Sequence, residues 1–116
     1  MHRLETIDLG TYRGEEYFLT GFVEPEPIEG THYDPAEDAT GYGIVLARST
    51  PVGSNVEVVR MDTAHGRPHL DRLFLPADTS EERTVWLDEG YTYERMKRYL
   101  LANWRRFVDR SVNDNE

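Results

Sequence analysis

The residues best suited to chemistry are concentrated in one stretch, Val56 to Leu75, VEVVRMDTAHGRPHLDRLFL. It holds Arg60, Asp62, His65, His69, Asp71 and Arg72. A carboxylate beside an imidazole fixes its tautomer and makes it a general base. An arginine fork nearby can hold a phosphate. Together these groups suit metal-free RNA cleavage, in which a 2′-hydroxyl loses a proton and a leaving oxygen gains one. On that reading Asp62, His65 and His69 are the catalytic residues, and Arg60, Asp71 and Arg72 bind substrate. Two His with one or two Asp also have the donor atoms for a divalent metal. However, Gly66 and Pro68 forbid the helix that would bring His65 and His69 onto one face. No metal ligand set and no cofactor is therefore assigned.

These groups meet only if a hairpin forms. Two apolar runs flank a turn centred on His65-Gly66. That centre sets Asp62 opposite His69, Arg60 opposite Asp71, Val58 opposite Leu73 and Val56 opposite Leu75. A slip of one residue would set Arg60 against Arg72, a like-charge pair that destabilises. The same pairs, Arg60 with Asp71 and Asp62 with His69, also serve simply to pin a hairpin. Both roles are open at the level of sequence.

The rest of the chain must supply the platform. Short strand-like runs cover Leu4–Leu9, Tyr17–Val23, Tyr42–Arg48, Val56–Thr63, His69–Leu75 and Thr84–Leu87. Gly and Pro punctuate them at close intervals, which predicts an antiparallel meander and not βαβ units. Tyr93, Met96, Leu100, Trp104, Phe107 and Val108 form one apolar stripe, so a helix is expected over Tyr93–Arg110 with Thr92 as its cap. The expected fold is α+β: one domain over 1–110, five or six antiparallel strands, and one long C-terminal helix on one face. Residues 24–40 hold three Pro and six acids and read as an exposed acidic loop. Residues 111–116 read as a frayed tail. One helix cannot cover both faces of so wide a sheet. The bare face, with Phe18 and Phe22 as candidates, is then free for a second copy of the chain or another partner.

Composition narrows the classes. The 116 residues carry 22 acids against 13 bases, a formal charge of −9. Leu, Ile, Val and Phe number 26, which supports one modest core. The absence of Cys excludes disulfides, thiolate metal sites and cysteine nucleophiles. No apolar run approaches the ~20 residues of a membrane span, and the acidic N-terminus does not resemble a secretion signal. A cytoplasmic protein is expected. Twelve of the thirteen cations are Arg, with Lys97 the one Lys. Acidic, Lys-poor composition fits a salt-adapted archaeal protein, whose carboxylates keep the surface hydrated while salt screens self-repulsion. The expected helix is the one basic element, at +4 over Tyr93–Arg110, which leaves −13 elsewhere. Arg95, Arg98, Arg105 and Arg106 fall opposite its apolar stripe, as a face for an acidic partner or as a solvated surface. No P-loop, GxGxxG, HExxH or GxSxG pattern occurs.

The run VVRMDTAHGRPHLD, followed by a helix with Leu100, Trp104 and Phe107, resembles an uncharacterised haloarchaeal family of small acidic proteins. More distantly it is similar to the TumE-type toxins of toxin–antitoxin systems. Arg60, Asp62, Gly66 and His69 match the R-x-D, turn and His elements of those toxins. Asp71 departs from them, since a second His tends to stand there. The resemblance implies an RNA-directed toxin-like protein with RNA or an antitoxin-like protein as partner. It covers the chain from Val56 on. A reading from a different class stands beside it: a non-catalytic interaction module that binds a partner through the bare sheet face or the basic helix.

Overall fold

A computed structural model describes residues 1–76 and 80–114, apart from the side chains of residues 65, 80, 81, 113 and 114. Six strands and one long helix form a single α+β domain. The strands are β1 (His2–Tyr12), β2 (Glu15–Glu24), β3 (Gly41–Ser49), β4 (Asn55–Asp62), β5 (His69–Arg72) and β6 (Thr84–Trp86). Each pairs antiparallel with the next in chain order, so the sheet is a meander. Single helical turns, α1 (Pro35–Asp38) and α2 (Ser80–Arg83), interrupt two connections. The long helix, α3 (Tyr93–Asp114), closes the chain. The acidic segment 24–40 thus carries a helical turn, capped by Asp34, whose side chain accepts from the Ala36 amide. Most of its residues are exposed.

Period-two alternation builds the core. Tyr17, Leu19 and Val23 on β2, Ile44 and Leu46 on β3, Val59 and Met61 on β4, and Leu70 on β5 are all buried. The stripe of α3 closes over that side, with Tyr93, Met96, Leu100, Trp104 and Val108 buried against it. Thr92 Oγ1 accepts from the Arg95 amide at 3.2 Å, the N-cap bond that starts the helix. The helix continues to Asp114, four residues past Arg110 where the stripe ends, so residues 111–114 are helical and not a tail.

Two ties hold α3 to the edge strand β1. Near its start, Tyr93 Oη donates to Glu5 Oε2 at 2.6 Å and Lys97 Nζ lies 3.0 Å from Glu5 Oε1. Near its end, Tyr12 Oη and Arg13 Nη1 both donate to Asp109 Oδ1 at 2.8 Å. The hydrogen bonds from Arg13 and Tyr12 hold the Asp109 carboxyl below its ordinary range. Gly21 makes the first tie sterically possible, because a Cβ there would overlap the Tyr93 phenol. Among the described residues no helix is long and apolar enough to cross a membrane.

Candidate functional site

The β4–β5 pair has the register that the charge pattern predicts: Asp62 opposite His69 and Arg60 opposite Asp71. A 3-10 turn at Ala64–Gly66 joins the two sides, with Gly66 at φ +79°. The Gly66 amide donates to the Thr63 carbonyl at 3.0 Å, and the Ala64 amide donates to Asp62 Oδ1 at 2.9 Å. The pairing is shorter than its sequence implies. Leu73 still donates to the Val58 carbonyl at 3.0 Å, but β5 ends at Arg72, and Leu75 turns back to donate to the Arg72 carbonyl. Val56 and Leu75 are therefore not partners. A register shift between Leu46 and Ala47 bends the neighbouring β3–β4 pair at this same end.

Alternation sends Arg60, Asp62, His69 and Asp71 to the face opposite α3. His69 is the centre of the cluster. Its Nε2 lies 3.2 Å from Asp62 Oδ1 and 3.3 Å from Asp71 Oδ2. Its Nδ1 lies 3.0 Å from the Arg67 carbonyl oxygen. A proton on Nε2 donates toward the two carboxylates, and a proton on Nδ1 donates to the Arg67 carbonyl. The ring is 5% exposed and Asp62 is 7% exposed. Asp71 Oδ1 is also tied down, accepting from Thr84 Oγ1 on β6 at 2.7 Å. His69 thus links three strands, and the half-exposed Trp86 lies beside it with ring centroids 5.3 Å apart. The Arg67 guanidinium sits over the same indole, 5.6 Å from its centre.

The other sequence-derived site residues separate. The guanidinium of Arg60 turns along its own strand to Glu57, with Nη2 2.9 Å from Oε1, and makes no ion pair with Asp71. Arg72 pairs with Val59, a core residue, so alternation sends it to the helix side of the sheet, away from Arg60. It donates there to the Glu82 carbonyl. The side chain of His65 lies outside the described residues. Among the described residues no group of three or more His, Asp or Glu is arranged to hold a metal ion.

Beside the cluster, on the same face, a groove of about 280 Å³ opens. Met1, Phe22, Gly43, Val45, Arg60 and Asp62 line it. Gly43 is its floor. Gly43 pairs with Phe22 on one side and Asp62 on the other, and a Cβ there would stand 2.6 Å from Asp62 Cβ. Only glycine leaves this point of the sheet bare. Among the described residues, the contacts of Asp62 from the Ala64 amide and from His69 both fall on Oδ1, and none falls on Oδ2. The sequence signals the Asp, the Arg and Phe22, but not the gap. Gly43 gains its meaning only when Phe22 and Asp62 are known to flank it two strands apart.

No curated protein and no solved structure matches this chain. A family model does match, over residues 14–115, which takes in five of the six strands and all of α3. The chain belongs to that family, the domain of unknown function DUF7718.

Proposed function

We propose that this protein is RNA-directed, holding single-stranded RNA on the sheet face that α3 leaves uncovered, and that it does not use His69 as a base. The groove beside Phe22, Arg60 and Asp62 carries this reading. An antiparallel sheet face with an aromatic, a guanidinium and a cleft of single-base size is a workable stacking platform. Volumes of about 300 Å³ lie at the small end of ligand sites, which suits one base and not a whole cofactor. The likeness of Arg60, Asp62, Gly66 and His69 to TumE-type toxins supports the same substrate class. An antitoxin-like protein is then the natural protein partner.

His69 is unsuited to the proton abstraction that its sequence context invites. Both ring nitrogens are already engaged, Nε2 by two carboxylates and Nδ1 by a backbone carbonyl, and the ring's enclosure keeps substrate from it. Arg60, half-exposed and aimed by Glu57, is the accessible cation. The grip expected here is stacking, worth about 1–3 kcal/mol per base, more than phosphate neutralisation. A net charge of −9 disfavours the latter. Stacking tolerates salt, which agrees with the salt-adapted composition.

The test is anisotropy of a short labelled RNA in dilute and in molar KCl, with a parallel cleavage assay in EDTA. Binding lost in Phe22→Ala, with no cleavage that depends on His69, is the expected result. Cleavage that survives EDTA and falls about a hundredfold in His69→Ala would restore the acid–base reading and end this one.

One observation favours the second reading, a protein-interaction module working through α3. Arg95, Arg98, Arg105 and Arg106 are exposed, and among the described residues none is ion-paired with a carboxylate. Arg95 lies over the Tyr91 ring, 4.3 Å from its centre. Reversing these four charges leaves RNA binding intact if the sheet face is the site. It abolishes binding of an acidic partner if the helix is the site.

A further inference from the structure

The groove has a polar wall and an aromatic one. Its wall on β4 offers two groups of opposite kind: the Asp62 carboxylate, whose Oδ2 has no partner among the described residues, and the Arg60 guanidinium two residues away on the same face. Its other wall is the Phe22 ring, on a strand two removed from β4. At about 4.8 Å per strand, some 10 Å separates the two walls at the backbone. A planar ring laid over Gly43 against Phe22 therefore directs its polar edge at Asp62 and Arg60.

From this geometry we infer, resting on the RNA reading above, that the groove is a base-specificity pocket for keto bases, guanine or uracil. The shared feature is a lactam edge, a ring N–H beside a carbonyl. The N–H donates to Asp62 Oδ2 and the carbonyl accepts from Arg60. Adenine and cytosine present a bare ring nitrogen where the lactam has its N–H. A carboxylate repels that lone pair, and a buried acceptor left without a donor is costly. Asp62 is well placed for such a test of the base. Its backbone is fixed in β4, and its other oxygen is held by His69 and the Ala64 amide, so the free oxygen has little freedom to turn away. The His69 cluster then has a purpose apart from proton transfer: it holds the reading carboxylate in place.

The experiment compares short single-stranded oligo(U), oligo(A) and oligo(C) by anisotropy on the intact chain, with GMP and UMP as competitors to rank the two keto bases. Oligo(U) should bind roughly tenfold or more tighter than oligo(A) and oligo(C), the worth of one charged hydrogen bond. Asp62→Asn, which can donate where the carboxylate cannot, should erase or invert that preference. Should Asp62→Asn unfold, Arg60→Met tests the same edge from its carbonyl side and should lower oligo(U) binding to the level of oligo(A). Equal binding of all three oligomers by the wild type overturns the specificity while leaving the RNA reading intact. No binding of any oligomer by folded protein overturns both.

Discussion

Tyr93 and Glu5 lie 88 residues apart in the chain, yet their side chains meet at 2.6 Å through the phenol hydrogen bond that docks the start of α3 on the edge strand. Burial, and then this hydrogen bond, push the Tyr93 hydroxyl far above its ordinary value of 10.0. The unfolded chain therefore gives up this proton near pH 10 while the folded chain keeps it. The folded state binds more protons above that point, so stability falls as pH rises past about 10 and is insensitive to this group below it. Tyr93→Phe should cost about 1 kcal/mol at neutral pH and flatten the alkaline limb. Urea midpoints across the alkaline range measure both effects. An unchanged alkaline limb in the variant would show that another group sets it.

Trp104 anchors the other half of the helix. It is 7% exposed, edge-on to Tyr12 at 5.6 Å and tilted against Tyr17 at 5.5 Å between ring centres. Trp104→Ala should lose about 3–5 kcal/mol, read as a lower urea midpoint. Trp104→Phe keeps much of the apolar contact and should lose less than half as much.

Removal of the His69 ring strands two carboxylates beside each other. His69→Ala should lose about 2–3 kcal/mol, because it leaves a buried carboxylate short of a hydrogen-bond donor. Adding Asp62→Asn to that variant removes one stranded charge and should return part of the loss. A double variant less stable than either single one would mean the cluster is not held by its charges. Trp86 reports the same event optically, because its indole lies against the His69 ring and its fluorescence should change in His69→Ala.

Salt separates a stacking grip from an electrostatic one. If bases on Phe22 provide the affinity, log K against log salt should have a slope shallower than about −2, since each phosphate neutralised on a single strand adds about −0.7. A slope several times steeper would move the binding site to the arginines of α3.

The hairpin register was legible because charge and hydrophobic alternation agreed on it. Arg60 against Asp71 and Asp62 against His69 satisfied both rules, and the slipped alternative violated both. The helix was legible from Tyr93 to Val108 because its stripe is continuous. Its last turn was not, since Val112 is the one apolar residue among Ser111 to Asp114 and a single apolar residue amid polar ones also reads as a tail. The end of β5 was hidden for a different reason. Leu73, Phe74 and Leu75 continue the apolar run, but the chain turns there, and a local run does not report a bend. Arg72 was grouped with Arg60 by residue type, whereas strand parity separates them onto opposite faces. The partner of His69 Nδ1 is the Arg67 carbonyl, a backbone atom that no side-chain pattern reveals.

The order of elements along the chain has a consequence during synthesis. Every strand pairs with its sequence neighbour, so the sheet can assemble hairpin by hairpin as it emerges. The cover for its apolar side is α3, residues Tyr93–Asp114, made after all six strands. Leu19, Ile44, Leu46 and Met61 are then exposed on a nascent sheet until those residues clear the ribosome. At about 5–20 residues per second that interval lasts seconds. A ribosome stalled before residue 93 would leave a bare, sticky sheet for a chaperone to shield.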